Sequence, residues 1–193
     1  MIHLLKAETY SDEEKYPEAI EEYNAVVKKN PNSPGIHFAL GEAYWRNVRY
    51  AEAEKELRLA LQEDPNHPMA NYYLADILIK NEKSQEAIPM LKIAVAANPQ
   101  YMMGYFQLGK CYAAQGKLQD AVGVLTKAAQ LDPDYKSTHY QLAQLYGRLN
   151  QPAQKQAEMG IFRKLYEKER LDSAKKNHRS LEDAEGAPGG NKQ

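Results

Sequence analysis

The sequence predicts an all-α solenoid, a row of antiparallel helix pairs closed by a longer terminal helix. Three observations carry that prediction. First, Asn-Pro or Asp-Pro recurs at Pro31, Pro65, Pro99 and Pro133, 34 residues apart each time. Second, other registers keep the same step: Leu40, Leu74, Leu108 and Leu142; Ala19, Ala53, Ala87 and Ala121; and Tyr10, Tyr44, Tyr112 and Tyr146, with Leu78 as the exception. Third, apolar spacing inside each period is helical and restarts after a polar break such as RNVRY, KNEKS or AQGKL. Each period is therefore two helices joined by a tight turn.

The units run 1–33, 34–67, 68–101, 102–135 and 136–165, making a repeat array over 1–165. Unit 1 is acidic, with Glu8, Asp12, Glu13, Glu14, Glu18, Glu21 and Glu22 against Lys6 and Lys15. In units 2 to 4 the second helix carries Ala53, Ala87 or Ala121, where only a short side chain lets it cross the first helix closely. The prolines stop each second helix, and Pro34 and Pro68 are placed at the first position of the next helix, where a missing N–H costs nothing. In unit 3, Ser84 is the expected N-cap, and Pro89 just past the first turn should bend the helix slightly. Unit 5 has Lys155 where the alanine belongs, a side chain expected to snorkel outward. Residues 166–181 extend the last helix as a cap, with Met159, Phe162, Leu165 and Tyr166 on one side. That helix is basic from Arg163 to Arg179, the solvated outer face of a cap in the plainer reading. The opposite charges of the two ends raise weak head-to-tail self-association as a second one. Residues 182–193 hold almost nothing apolar and are expected to be disordered.

Composition narrows the function. With 25 basic and 26 acidic residues among 193, no overall field attracts nucleic acid, and no nucleic-acid partner is expected. No apolar run is long enough for membrane insertion. The N-terminus lacks the features of a signal peptide, so the chain as written is expected to be cytoplasmic; an excerpt of a longer precursor would leave periplasmic or secreted open. Cys111, the one cysteine, falls between Leu108 and Tyr112 on a helix and is expected to be a small buried residue. His37 and His139 are expected to pack between helices, with no nucleophile or carboxylate at a recognisable spacing. No catalytic residue, metal ligand or cofactor is expected, and the protein is not expected to be an enzyme.

The segments HFALGEAYWRNVRYAEAEKELRLALQEDP and YFQLGKCYAAQGKLQDAVGVLTKAAQLDP resemble the tetratricopeptide repeat, whose pattern is W-x2-L-G-x2-Y, then A-x3-F, A and P over 34 residues. The tryptophan place departs from it throughout, holding His37, Asn71, Tyr105 and His139. The resemblance implies a right-handed superhelix whose first helices line a concave groove.

A second stripe on those first helices supplies the candidate partner-binding residues. Two positions before the repeat leucine stand Phe38, Tyr72, Phe106 and Tyr140; around them fall Glu42, Trp45, Arg46, Asp76, Lys80, Lys110 and Arg148. The stripe either packs repeat against repeat or anchors a protein or peptide segment, with Trp45 favouring anchoring. Some family members grip chaperone C-terminal tails with cations and amides. Here the matching places hold Phe38, Glu42, Tyr73, Met103 and Gln107, so such a tail is not an expected partner. The expected function is a non-catalytic adaptor or assembly scaffold; the alternatives are an interaction domain of a larger enzyme or secretion component, or a self-assembling scaffold.

Overall fold

The computed structural model describes residues 2–185, with side chains through residue 175. Among the described residues there are ten helices: α1 (Ile2–Asp12), α2 (Tyr16–Lys29), α3 (Ile36–Arg46), α4 (Tyr50–Glu63), α5 (Pro68–Lys80), α6 (Ser84–Ala97), α7 (Met102–Ala114), α8 (Leu118–Leu131), α9 (Lys136–Arg148) and α10 (Pro152–Glu185). They pair as the 34-residue period demands. Four pairs, α1 to α8, form one compact unit ending at Leu131, and α9 with α10 forms a second.

The turn inside every pair has one construction. Glu14, Val48, Glu82, Gly116 and Asn150, each 34 residues from the last, all have positive φ. In the second pair the Arg49 N–H reaches the Tyr44 carbonyl at 2.9 Å and the Val48 N–H reaches that of Trp45 at 3.0 Å. This is a Schellman closure, which satisfies carbonyls the helix end leaves orphaned. The repeating tyrosine belongs to the same device: the Arg49 guanidinium lies 4.7 Å from the Tyr44 ring centre, and Lys117 sits likewise over Tyr112. The turns between pairs use the residue before proline. The side chains of Asp64, Asn98 and Asp132 each accept from the N–H two residues on, at 3.0 to 3.1 Å.

Packing follows the leucine and alanine registers. Leu40, Leu57, Leu74, Leu91, Leu108 and Leu125 are buried in the first unit, and Ala19, Ala53, Ala87 and Ala121 have no exposed surface. Each buried leucine contributes roughly 1.5–3 kcal/mol. Gly109 lets α7 and α8 approach closely, since a Cβ there would lie 2.4 Å from Leu125 Cγ. In the second unit Leu142, Ala143 and Leu145 are buried, while Lys155 is exposed as its length allows.

Three local expectations need correction. Pro68 opens α5, but Pro34 lies in the turn before α3, whose cap is Gly35 at φ +72°. Pro34 thus shapes the approach to the helix rather than starting it. Ser84 is the first helical residue of α6, and Lys83 takes the capping place because the Schellman turn ends there. Pro89 lies within α6, past its first turn, where the sequence places it. α10 runs unbroken from Pro152 through the cap to Glu185, so 182–185, expected to be disordered, are helical. The rest of the expected disordered tail, 186–193, lies outside the described residues.

Candidate functional site

The first helices of the first unit are tied together by side chains at a constant offset. Glu42 on α3 accepts from the Tyr73 hydroxyl on α5 at 2.8 Å; Trp45 Nε1 on α3 donates to Asp76 Oδ2 at 2.9 Å; and Gln107 Nε2 on α7 donates to Asp76 Oδ1 at 3.2 Å. All three links span 31 residues, one period less a turn of helix. Asp76, only 4% exposed, is the node: Lys80 Nζ also approaches it, at 3.2 Å. Three donors on a buried carboxylate offset its desolvation. Burial and then the Glu42 bond push the Tyr73 phenol well above its ordinary range, so it stays a neutral donor.

Among the stripe residues of the first unit, Phe38 is half-buried, with its ring centre 4.2 Å from that of His67, and Trp45 is half-buried at 4.5 Å from Tyr73. Tyr72 (6% exposed) and Phe106 (7%) are buried; Tyr72 meets Tyr101 edge-on at 4.8 Å. Arg46 is exposed, chelates Glu42 at 3.1 Å and lies beside the Trp45 ring. Lys80 leans over Tyr50, and Lys110 is half-buried over the Phe106 ring. In the second unit Tyr140 is 41% exposed and packs on Phe162, and Arg148 is exposed. Tyr73 and Gln107 join the site by structure alone. The 31-residue offset is the signal that would have found them.

Between α1, α2 and α3 the same face holds a cavity of about 200 Å³, lined by Ser11, Asp12, Tyr16, Tyr23, Phe38 and Arg46, with Glu42 at its wall. Tyr23 is buried, and its hydroxyl accepts from Ser11 at a long 3.4 Å. Burial raises the Tyr23 phenol, and Glu8, Glu42 and Asp12 add to the shift through their negative field.

The histidines do have carboxylate partners, against expectation. His3 Nδ1 lies 2.5 Å from Glu22 Oε2, His37 Nδ1 2.7 Å from Glu56 Oε2, and His139 Nδ1 2.7 Å from Glu158 Oε2. Each spans 19 residues and ties the first helix of a pair to the second. The Pro133 carbonyl accepts from His139 Nε2, and the Pro65 carbonyl from Asn71 Nδ2, each at 2.9 Å. These bonds tie α1 to α2, α3 to α4 and α9 to α10, and α5 and α9 to their leading turns. No hydroxyl or thiol is among their partners. Cys111 is buried, and its burial raises the thiol away from the reactive thiolate.

The tetratricopeptide repeat family model matches residues 4–68 and 72–136. The chain belongs to this family. Like its members it is, at the level of class, a protein-interaction scaffold, and its tryptophan place holds the bonded His37, Asn71 and His139, with Tyr105 in the fourth pair. Among solved structures it is similar to residues 41 to the end of MamA from Desulfovibrio magneticus RS-1, with 25% identity, 88% of this chain and 94% of that one covered, and a TM-score of 0.75. It shares its fold with YrrB, described as a TPR protein with an unusual peptide-binding site, at 20% identity, 91% and 90% coverage and a TM-score of 0.76. No match was found among curated protein sequences. No helix among the described residues is long and apolar enough to cross a membrane.

Proposed function

We infer that the face formed by α3, α5 and α7 is a groove that binds a segment of a partner polypeptide, making the protein a non-catalytic adaptor or assembly scaffold. One observation carries the reading. The groups that could collapse onto one another are already bonded across three successive helices, while Phe38, Trp45, Arg46 and Lys80 keep part of their surface open. A surface ordered before binding loses little entropy when it binds. Family membership and the peptide-binding description of YrrB agree with it. A chaperone-tail carboxylate is a poor fit, because Tyr73 and Gln107 at the matching places are engaged internally.

The test is affinity capture from the source organism's lysate with the native protein, with Phe38→Ala/Arg46→Ala, and with Lys28→Ala/Lys92→Ala on the second helices, all of native helicity. Partners lost only with the first variant support the groove. Equal capture by all three overturns it.

Head-to-tail self-association is a second reading, favoured by exposed charges of opposite sign near the two ends of the chain: Glu8, Asp12, Glu13 and Glu14 in the first unit, Arg163, Lys164, Lys168 and Arg170 in the second. Mass in light scattering that rises at low salt and disperses at high salt supports it. A constant monomer mass overturns it.

A further inference from the structure

We propose that the cavity between α1, α2 and α3 receives a lysine or arginine side chain of the bound segment. The proposal rests on the groove reading above and adds what sits at its α1 end. The cavity is a socket with aromatic walls, Tyr16, Tyr23 and Phe38, and carboxylates at its rim. Rings of this kind hold the aliphatic stem of a long cation and face its charge favourably.

The charge balance selects the sign of the guest. Asp12 and Glu42 line the cavity with Arg46, and the Arg46 guanidinium is spent on Glu42 Oε1 through two hydrogen bonds. The Tyr73 hydroxyl donates to the same oxygen, so both neighbours of this carboxylate share Oε1. Asp12 is exposed, and Glu8 adds its field at Tyr23. Three carboxylates against one guanidinium leave an excess of negative charge around a half-enclosed site. There a guest cation regains in salt bridges what it loses in hydration. Tyr23 supplies the independent sign of a guest. The residue is more than nine-tenths buried and lines the cavity, and its hydroxyl accepts one long bond from Ser11, so its own proton remains for a peptide carbonyl. The opposite end of this face carries Lys80 and Lys110, which disfavour a second basic residue and so orient the segment.

The experiment is selection of a phage-displayed random dodecapeptide library on the full chain and on Asp12→Asn and Glu42→Gln, each checked for native circular dichroism. Glu42→Gln keeps an acceptor for Tyr73, and Asp12 is an exposed residue whose loss leaves the core intact. Peptides enriched on the native chain should carry a lysine or arginine at one fixed position. Their synthetic copies should bind each variant about five- to tenfold more weakly, and replacing that residue with citrulline or norleucine should do the same on the native chain. Peptides that bind without a basic residue, or bind the variants equally, overturn the socket and leave the groove standing. Failure to select any peptide overturns the groove and the socket with it.

Discussion

Asp76 holds three helices together, and removing its carboxylate gives a number that can be worked out. In Asp76→Ala the Trp45 indole and the Gln107 amide lose their acceptor, while exposed Lys80 returns to water. A donor left wholly buried without a partner costs about 1–3 kcal/mol. Both donors belong to half-buried residues, so each should cost about 1 kcal/mol and the variant should lose about 2–3 kcal/mol in all. The indole bond can be isolated by a double-mutant cycle with Trp45→Phe, which keeps one ring against Tyr73 and removes the N–H with the rest of the indole; the cycle cancels the packing lost in both backgrounds. Urea unfolding of the four proteins, followed by far-ultraviolet circular dichroism, should give a coupling of about 1–1.5 kcal/mol. A coupling below about 0.5 kcal/mol, the level at which unconnected sites add, would refute the view that this network stiffens the face.

Val48 is β-branched, 67% exposed and held at φ +61°, a conformation costing non-glycine residues about 1–2 kcal/mol. Val48→Gly should therefore raise the denaturation midpoint, by about 0.5–1 kcal/mol after the chain-entropy penalty of glycine; a lowered midpoint would contradict the turn assignment. Glu56→Ala strips buried His37 of its partner and should cost about 1–3 kcal/mol, whereas Glu22→Ala, beside the more exposed His3, should cost less than about 1 kcal/mol by the same denaturation measurement; equal losses would remove the clamp from the ledger. Burial raises the phenols of Tyr72 and Tyr73, so the folded state holds their protons more tightly than the unfolded chain does. Stability from these groups is full below about pH 10 and falls as pH rises beyond it. Ultraviolet titration should show both ionising only as the chain unfolds, and early, reversible ionisation of every tyrosine would oppose this.

The fold was legible because a 34-residue period and helical spacing are properties of the sequence itself. The tyrosine register was equally plain, though its purpose needed coordinates: the Tyr44 ring lies under the guanidinium of the residue that closes the turn. The site was legible only in part. Phe38, Tyr72, Phe106 and Tyr140 share one register, which fixes an angle around the helix but not what the neighbouring repeat places above it. Tyr101 covers Tyr72, whereas His67, one period earlier, covers Phe38 with a smaller ring and leaves it half-buried. The 19-residue histidine–glutamate spacing occurs three times in the sequence, but it joins the two helices of a pair across a turn and matches no catalytic pattern, so only the packed pair shows its purpose.

What the network leaves open constrains any partner more than what it contains. Asp76 meets Trp45, Gln107 and Lys80, so a ligand that bonded it would first have to displace a donor and leave it unmatched. The Trp45 N–H is committed as well; only the indole face is available to a guest. If the proposed groove binds a segment, its specificity would fall to groups at its edges: Glu42 with Arg46 at the α1 side, Lys80 and Lys110 toward α7, and the rings of Phe38 and Trp45 between them. A segment bound there meets negative charge first and positive charge later. Reversing its sequence direction would reverse that match, so the proposed groove would discriminate orientation as well as composition.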